Sequence, residues 1–337
     1  MKTGAVTAIA WTRFQPRTVA LAAALGGEAC FFDDGFAGSS LAARPFAYLV
    51  KAARTWRFLT RADAETVVVI TPPVFAPLIA WMWCLLHRRR LVIDCHTGAF
   101  HSNRWAWARP LHRMLLPRAA AVLAHTSELE GLIREWKARA LLVPDDLPEP
   151  GEAAPVPAHA SPTVVVAGSL DANEPVEESI AAARLLPDVQ FRFTGDPDLI
   201  PAAIRAGAAP NVTLTGYLAY PLFLGELLAA DVVAVFSTDP RIMNRAAFEA
   251  VGLGRPLILS DLPAVKTRFA SAALFSANEP PAMAASIASA IERASELADR
   301  SVALQADLRA QRRLAIERLQ AIIERGPEVV WRRRSAS

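Results

Sequence analysis

The stretch Ser237-Thr-Asp-Pro-Arg-Ile-Met-Asn-Arg-Ala-Ala-Phe-Glu-Ala-Val-Gly-Leu-Gly-Arg-Pro-Leu-Ile-Leu-Ser-Asp261 decides the fold. Just before it, Asp231 to Phe236 is a continuous apolar, β-branched run, the pattern of a strand buried on both faces of a parallel sheet. Ser237 to Pro240 breaks that run. Asn244 to Leu253 has helical spacing, is closed by Gly252 and Gly254 and is followed by Pro256. Leu257 to Leu259 reads as the next buried strand. Strand, loop, helix, strand is one βαβ unit, and ligands in such sheets sit at the carboxyl ends of the strands. The helix start near Ile242 to Arg245, with Asn244 at its edge, offers unpaired N–H groups and the positive end of a dipole. Glu249, about one turn further in, is placed to accept hydrogen bonds from hydroxyl groups. Together they suit a diphosphate that carries a ribose or a sugar.

The same alternation runs through most of the 337 residues, a length that suits two domains of about 150 residues each. Strands are predicted at Ala5–Trp11, Cys30–Phe32, Thr66–Ile70, Leu91–Ile93, Ala121–Ala124 and Leu141–Val143, with helices between them. Ser127 is expected to cap the helix from Leu129 to Lys137. Pro144 to Pro162 holds six prolines and almost no large apolar residue, which predicts a linker. The sheet pattern restarts at Thr163 to Ala167. Loops with Gly168-Ser169, Gly195-Asp196 and Gly216-Tyr217 then follow three strands in succession. The predicted boundaries are 1–145, a linker at 146–162, a second domain at 163–308 and a C-terminal helix at 309–330 that packs back across the domains.

Composition limits the function classes. Hydrophobic residues make up 53% and charged residues 20%, enough apolar side chains for two cores, with a net charge of +3 and a pI of 9.0. Mean hydropathy is +0.25, so membrane contact has to be weighed. Val74 to Leu86 is apolar throughout, but thirteen residues interrupted by Pro77 fall short of the roughly 20 needed for a span. It is expected either as a buried crossover helix or as a membrane-facing one with Trp81 and Trp83 at the interface and Arg88, Arg89 and Arg90 on phosphates. Trp105 and its neighbours between Arg104 and Arg118 are aromatic and basic, and in the absence of any nucleic-acid module predict a solvated or acceptor-facing helix. Trp331 to Arg334 is a basic tail. Cys30, Cys84 and Cys95 have no ligand or redox spacing, and no export signal is read in the first residues. A reducing cytoplasmic location is expected, extending to the inner face of the membrane. His101, His112 and His125 have no metal-ligand spacing, so no metal site and no cofactor are expected. Asp94-Cys-His96, by contrast, directly follows a strand, where ligands bind, and Asp94 and His96 are candidates for contacting a sugar or activating an acceptor hydroxyl.

Thr71-Pro-Pro73, Asp94-Cys-His96 and Phe248-Glu-Ala250 continuing to Asp261 resemble the GT-B glycosyltransferases, family 4 in particular, and also enzymes that mannosylate lipid-linked chitobiose. The resemblance implies two doubly wound Rossmann-like α/β domains with a cleft between them. It implies transfer of a sugar from a nucleotide-diphosphate donor, without a metal, to a glycan or lipid-linked acceptor in cell-surface glycan synthesis. By position His96 matches a histidine that contacts the donor sugar, and Glu249 the second of two glutamates eight positions apart. The first glutamate falls on Arg241, and the loop of Gly168 and Ser169 lacks the family's Arg and Lys. Phosphate charge is then expected to meet backbone N–H groups, Ser169, Arg241 or Arg245. Anomeric stereochemistry stays open. A degraded transferase fold acting as a non-catalytic nucleotide-sugar- or partner-binding protein and a UDP-sugar epimerase of the same fold remain the alternatives.

Overall fold

The computed structural model describes residues 6–33 and 44–325. They form two compact units, one of the described residues up to 146 together with 311–325 and one of residues 147–310. The basic tail at Trp331 to Arg334 lies outside the described residues.

The first unit follows strand–helix alternation through β1 (Val6–Ala10), α1 (Pro16–Ala24), β2 (Glu28–Phe31), α2 (Arg44–Ala62), β3 (Thr66–Thr71), α3 (Phe75–His87), β4 (Arg90–Cys95), α4 (Gly98–His101), α5 (Arg109–Leu115), β5 (Ala121–Ala124), α6 (Ser127–Glu135) and β6 (Ala140–Leu142). Its six strands are parallel, in the order β2-β1-β3-β4-β5-β6. Successive side chains point to opposite faces of the sheet, so each strand supplies two cores. Ile9, Val67, Val69, Leu91 and Ile93 face one core, shared with α2, α3 and α6. Val6, Ala8, Val68, Val92 and Leu123 face the other, with Leu21 of α1 and with Ala315, Ile316, Leu319 and Ile323. Burial on both faces is why these strands read as unbroken apolar runs.

The second unit contains β7 (Thr163–Val166), α7 (Val176–Arg184), β8 (Gln190–Thr194), α8 (Ala202–Ala206), β9 (Val212–Gly216), α9 (Tyr220–Ala229), β10 (Val232–Val235), α10 (Arg245–Gly252), β11 (Leu257–Ser260), α11 (Pro263–Phe269), β12 (Ala273–Ser276), α12 (Pro280–Glu292) and the start of α13 (Ala294–Arg325). Its sheet is also all parallel, in the order β12-β11-β10-β7-β8-β9. The proline-rich stretch lies on this unit, where Ala154 N–H donates to the Pro221 carbonyl at 2.8 Å and Leu147 and Ala153 pack on the core.

Several local expectations are corrected. Trp81 and Trp83 are core residues, 6% and 1% exposed, rather than a membrane face. Helix α3 packs between α2 and the sheet, and Trp83 Nε1 donates to Thr60 Oγ1 at 3.1 Å. Its exposed apolar side chains are Met82 and Leu86. Arg89 pairs with Asp63 at 2.6 Å, and Arg88 takes the left-handed cap of α3 (φ 52°). Asn103 to Arg118 is not one helix. Pro110 and Pro117 restart the chain, giving a 3-10 turn at Asn103–Ala108, then α5, then a second 3-10 turn. Thr126, not Ser127, caps α6, accepting from Leu129 N–H at 3.2 Å. The short elements α8, α11 and β12 lie beyond the strands and helices the sequence reading named.

Candidate functional site

In each sheet the strand order reverses once, between β1 and β3 in the first unit and between β7 and β10 in the second. Loops from neighbouring strand ends part at such a reversal, which opens a crevice at the carboxyl edge.

In the first unit that crevice is a cleft of about 330 Å³ lined by Trp11, Thr12, Gln15, Ile70, Pro72, His96 and Gly98. Its polar floor is built on Arg17, a residue the sequence reading passed over. Arg17 sits in the first turn of α1 and is 2% exposed. Its Nε donates to Asp94 Oδ2 at 2.9 Å and its Nη2 to Asp94 Oδ1 at 3.0 Å. Nη1 donates to Asp145 Oδ1 at 2.8 Å, and Nη2 also to the Val143 carbonyl at 3.0 Å. Burial opposes the charge on Asp94, but the guanidinium outweighs it and holds the carboxyl well below the usual range. Asp94 therefore stays ionised, buried and engaged. It meets the cleft through His96, whose Nε2 lies 3.5 Å from Asp94 Oδ2 and 3.4 Å from Gln15 Nε2. The His96 side chain is 31% exposed. The ring of His125 lies 5.3 Å from that of His96, and its Nε2 shares a hydrogen bond with Thr97 Oγ1 at 3.2 Å. Burial pushes His125 down to about 4, and does the same to His112, which hydrogen-bonds Thr71. One signal in the sequence pointed to Arg17. A cation in the first turn of a helix opposes the dipole, so in an apolar helix it requires anionic partners.

In the second unit, hydrogen bonds join the loops at the reversal into one platform. Thr238 N–H donates to the Asn173 carbonyl at 2.8 Å, and Asp196 N–H to the Ser169 carbonyl at 3.2 Å. Ser237 N–H donates to Ser260 Oγ at 2.9 Å, while Asn278 Nδ2 donates to the Ser237 carbonyl at 2.8 Å. Gly195 (φ 114°) is packed so tightly that a Cβ there would lie 2.5 Å from the Ser169 backbone. Gly168, Ser169, Gly195, Arg241, Asn244 and Arg245 thus share one edge, with Tyr217, 75% exposed, next to it after β9.

The charges at this edge are paired internally. Arg241, expected to face an anion, chelates Asp239 through Nε and Nη2, both at 2.9 Å. Glu249 is 3% exposed and accepts from Arg245 Nε at 2.9 Å, one helical turn away. Arg245 Nη2 also reaches Tyr220 Oη at 3.3 Å, and burial beside Glu249 raises the Tyr220 hydroxyl pKa. Asn244 occupies the cap position of α10 without a side-chain cap bond. In the Gly168 loop the N–H groups of Ser169 and Leu170 are met by Glu174, and that of Gly168 by Thr194 Oγ1. Trp105, half-buried, lies under Arg104 at 5.6 Å and beside Trp107 at 6.0 Å, on the first unit. Among the described residues no cluster of three or more His, Cys, Asp or Glu could hold a metal.

Residues 161–293 match the family model of the glycosyl transferases group 1. Solved structures with the same chain path cover nearly the whole molecule. HepE of Anabaena, solved in complex with UDP-glucose, aligns over 94% of this chain and 98% of its own, at 15% identity and a TM-score of 0.69. The sucrose-phosphate synthase of Thermosynechococcus elongatus covers 95% and 96%, at 16% and 0.64. A glycosyltransferase of Rickettsia africae covers 95% and 98%, at 11% and 0.66. The fold is that of the GT-B glycosyltransferases. Comparison with curated proteins by sequence returns no match.

Arg17→Met leaves Asp94 and Asp145 buried against an apolar side chain, and lowers stability by about 3–5 kcal/mol; urea unfolding at pH 7 measures it, and a loss under about 1 kcal/mol would show that the clamp contributes little. His112 and His125 are held neutral in the native state, so the unfolded chain binds more protons below about pH 6.5. Stability therefore falls as the pH drops from about 6.5 towards 4. A urea midpoint that stays level across that window would contradict the assignment.

Proposed function

We propose that this protein is a glycosyltransferase that moves a sugar from a nucleotide-diphosphate donor to a hydroxyl-bearing acceptor, without a metal. The observation that carries the reading is the coincidence of a family match over residues 161–293 with a platform of polar loops at the strand reversal of that same unit. Donor binding is assigned to the second unit. Arg245 opens α10 and Glu249 follows one turn further in; a guanidinium there takes phosphate and a carboxylate takes ribose or sugar hydroxyls. UDP is the first donor nucleotide to test, because HepE was solved with it.

The acceptor side is assigned to the first unit. His96 lines the cleft and is half-exposed, within reach of an acceptor hydroxyl or donor sugar, while the buried Arg17–Asp94 pair fixes the ring behind it. Asp94 is read as the residue that orients His96, since it is itself sealed from the cleft. Family 4 is the subclass favoured by the resemblance of the stretch from Phe248-Glu-Ala250 to Asp261. Single-turnover assays with radiolabelled nucleotide sugars separate the readings. Transfer supports the transferase, interconversion without an acceptor supports an epimerase, and binding without turnover supports a non-catalytic relative.

A lipid-linked acceptor in cell-surface glycan synthesis is the more specific proposal. It is favoured by the exposed Phe46 and Leu49 of α2, Met82 and Leu86 of α3, and Trp107. No helix among the described residues is long and apolar enough to cross a membrane, so attachment would be peripheral.

Glu249→Ala is expected to weaken UDP binding about tenfold or more, the equivalent of one hydrogen bond to a charged group. Calorimetry on the folded variant measures it, and an unchanged affinity would take Glu249 out of the donor site. On anionic liposomes at low salt the protein is expected to sediment with lipid and to be partly released at 1 M salt, where charges are screened beyond about 3 Å. A protein that stays in the supernatant at low salt would remove the lipid-linked acceptor.

A further inference from the structure

The turn between β7 and α7 is shaped to hold an anion. Leu170 adopts a left-handed backbone (φ 65°), which turns the N–H groups of Ser169 and Leu170 towards one point. A phosphate oxygen would suit that point by charge and geometry, and the turn lies at the strand reversal, where ligands of such sheets bind. The point is occupied from within the chain. Glu174 Oε1 accepts from Ser169 N–H at 3.0 Å and from its hydroxyl at 3.1 Å, while Oε2 accepts from Leu170 N–H at 2.9 Å. The fit is close, since a Cβ on Gly168 would stand 2.2 Å from Glu174 Oε2.

The occupant is held on poor terms. Glu174 is half-buried, and desolvation raises its pKa against the effect of the two N–H donors. Asp171, whose Oδ2 competes for the Ser169 hydroxyl at 3.1 Å, adds a second negative charge to the same turn. Groups from the neighbouring loops also meet this turn: the Asp196 backbone N–H donates to the Ser169 carbonyl at 3.2 Å. Thr194 Oγ1 takes the Gly168 N–H at 3.0 Å, and the Asn173 carbonyl is taken by Thr238. Ser169 is exposed, so the nest is open to solvent on one side.

We propose that Glu174 is an internal anion that fills a phosphate-binding nest and is displaced from it by a diphosphate, so that Glu174 sets the affinity for the donor. The inference rests on the reading of the second unit as the donor domain. Both acids must yield for a diphosphate to enter, and the two N–H donors and the Ser169 hydroxyl then pass from carboxylate to phosphate oxygen. The turn has no arginine or lysine of its own, so its selectivity for phosphate comes from backbone N–H groups and from how readily Glu174 leaves. A side chain that serves only to shape the turn would do the opposite, because its removal would disorder the nest and weaken every anion.

Glu174→Gln and Glu174→Ala test this, with inorganic pyrophosphate, UDP and uridine titrated into the full chain by calorimetry. Both variants are expected to bind pyrophosphate and UDP about tenfold more tightly than the wild type, with uridine unchanged. Thermal melting establishes that each variant is folded, and Glu174→Gln, which keeps the size of the side chain, carries the test where Glu174→Ala does not fold. Equal or weaker pyrophosphate binding in the folded variants overturns the proposal. Tighter pyrophosphate binding in the variants, with no UDP binding to any form, keeps the nest and removes the donor reading instead.

Discussion

The buried guanidinium of Arg17 is the constraint on which the first unit's site depends. A single planar group joins the start of α1 to Asp94 at the end of β4 and to Val143 and Asp145 after β6. These segments are far apart in sequence, and the sheet core alone would leave their polar ends at a crevice without a fixed arrangement. Desolvating two carboxylates and one guanidinium is costly, and such a cluster persists when its geometry satisfies nearly every donor and acceptor. Here the Nε, Nη1 and Nη2 atoms of Arg17 all have partners, and Asp94 is held on both oxygens. The consequence is positional: His96 lies against a buried carboxylate that is itself held in place by Arg17.

The second unit handles charge differently. Its site residues stand at a carboxyl edge whose loops are tied together by backbone and hydroxyl hydrogen bonds, while its charges are satisfied by near neighbours. Arg241 takes Asp239, Arg245 takes Glu249, and the turn after β7 takes Glu174. Any anion or hydroxyl that binds there exchanges one set of partners for another. The net free energy of binding is then a difference between similar terms, which makes it sensitive to the charge and shape of the ligand. Arg241 fits this pattern, because the local acid Asp239 restores neutrality within two residues.

The apolar periodicities of the sequence determined most of the strands, the parallel sheets and the division into two α/β halves, because strands buried on both faces must be apolar throughout. They also placed Asp94, His96 and Gly168 at strand ends, since chain order alone puts loops there, and Glu249 one turn into a helix that follows a strand. What only the tertiary structure decided is which charge meets which. Arg17 and Asp94 lie 77 residues apart, and nothing in either local pattern links them. The apolar run of α3 was equally compatible with a core or a membrane face, because hydropathy counts residues and not neighbours; packing against α2 and the sheet buried Trp81 and Trp83 and left Met82 and Leu86 outside. The Gly168 loop looked open for the same reason. A carboxylate five residues on from Ser169 reaches back into the nest only because Leu170 turns left-handed, and no spacing rule for an ordinary residue announces that turn.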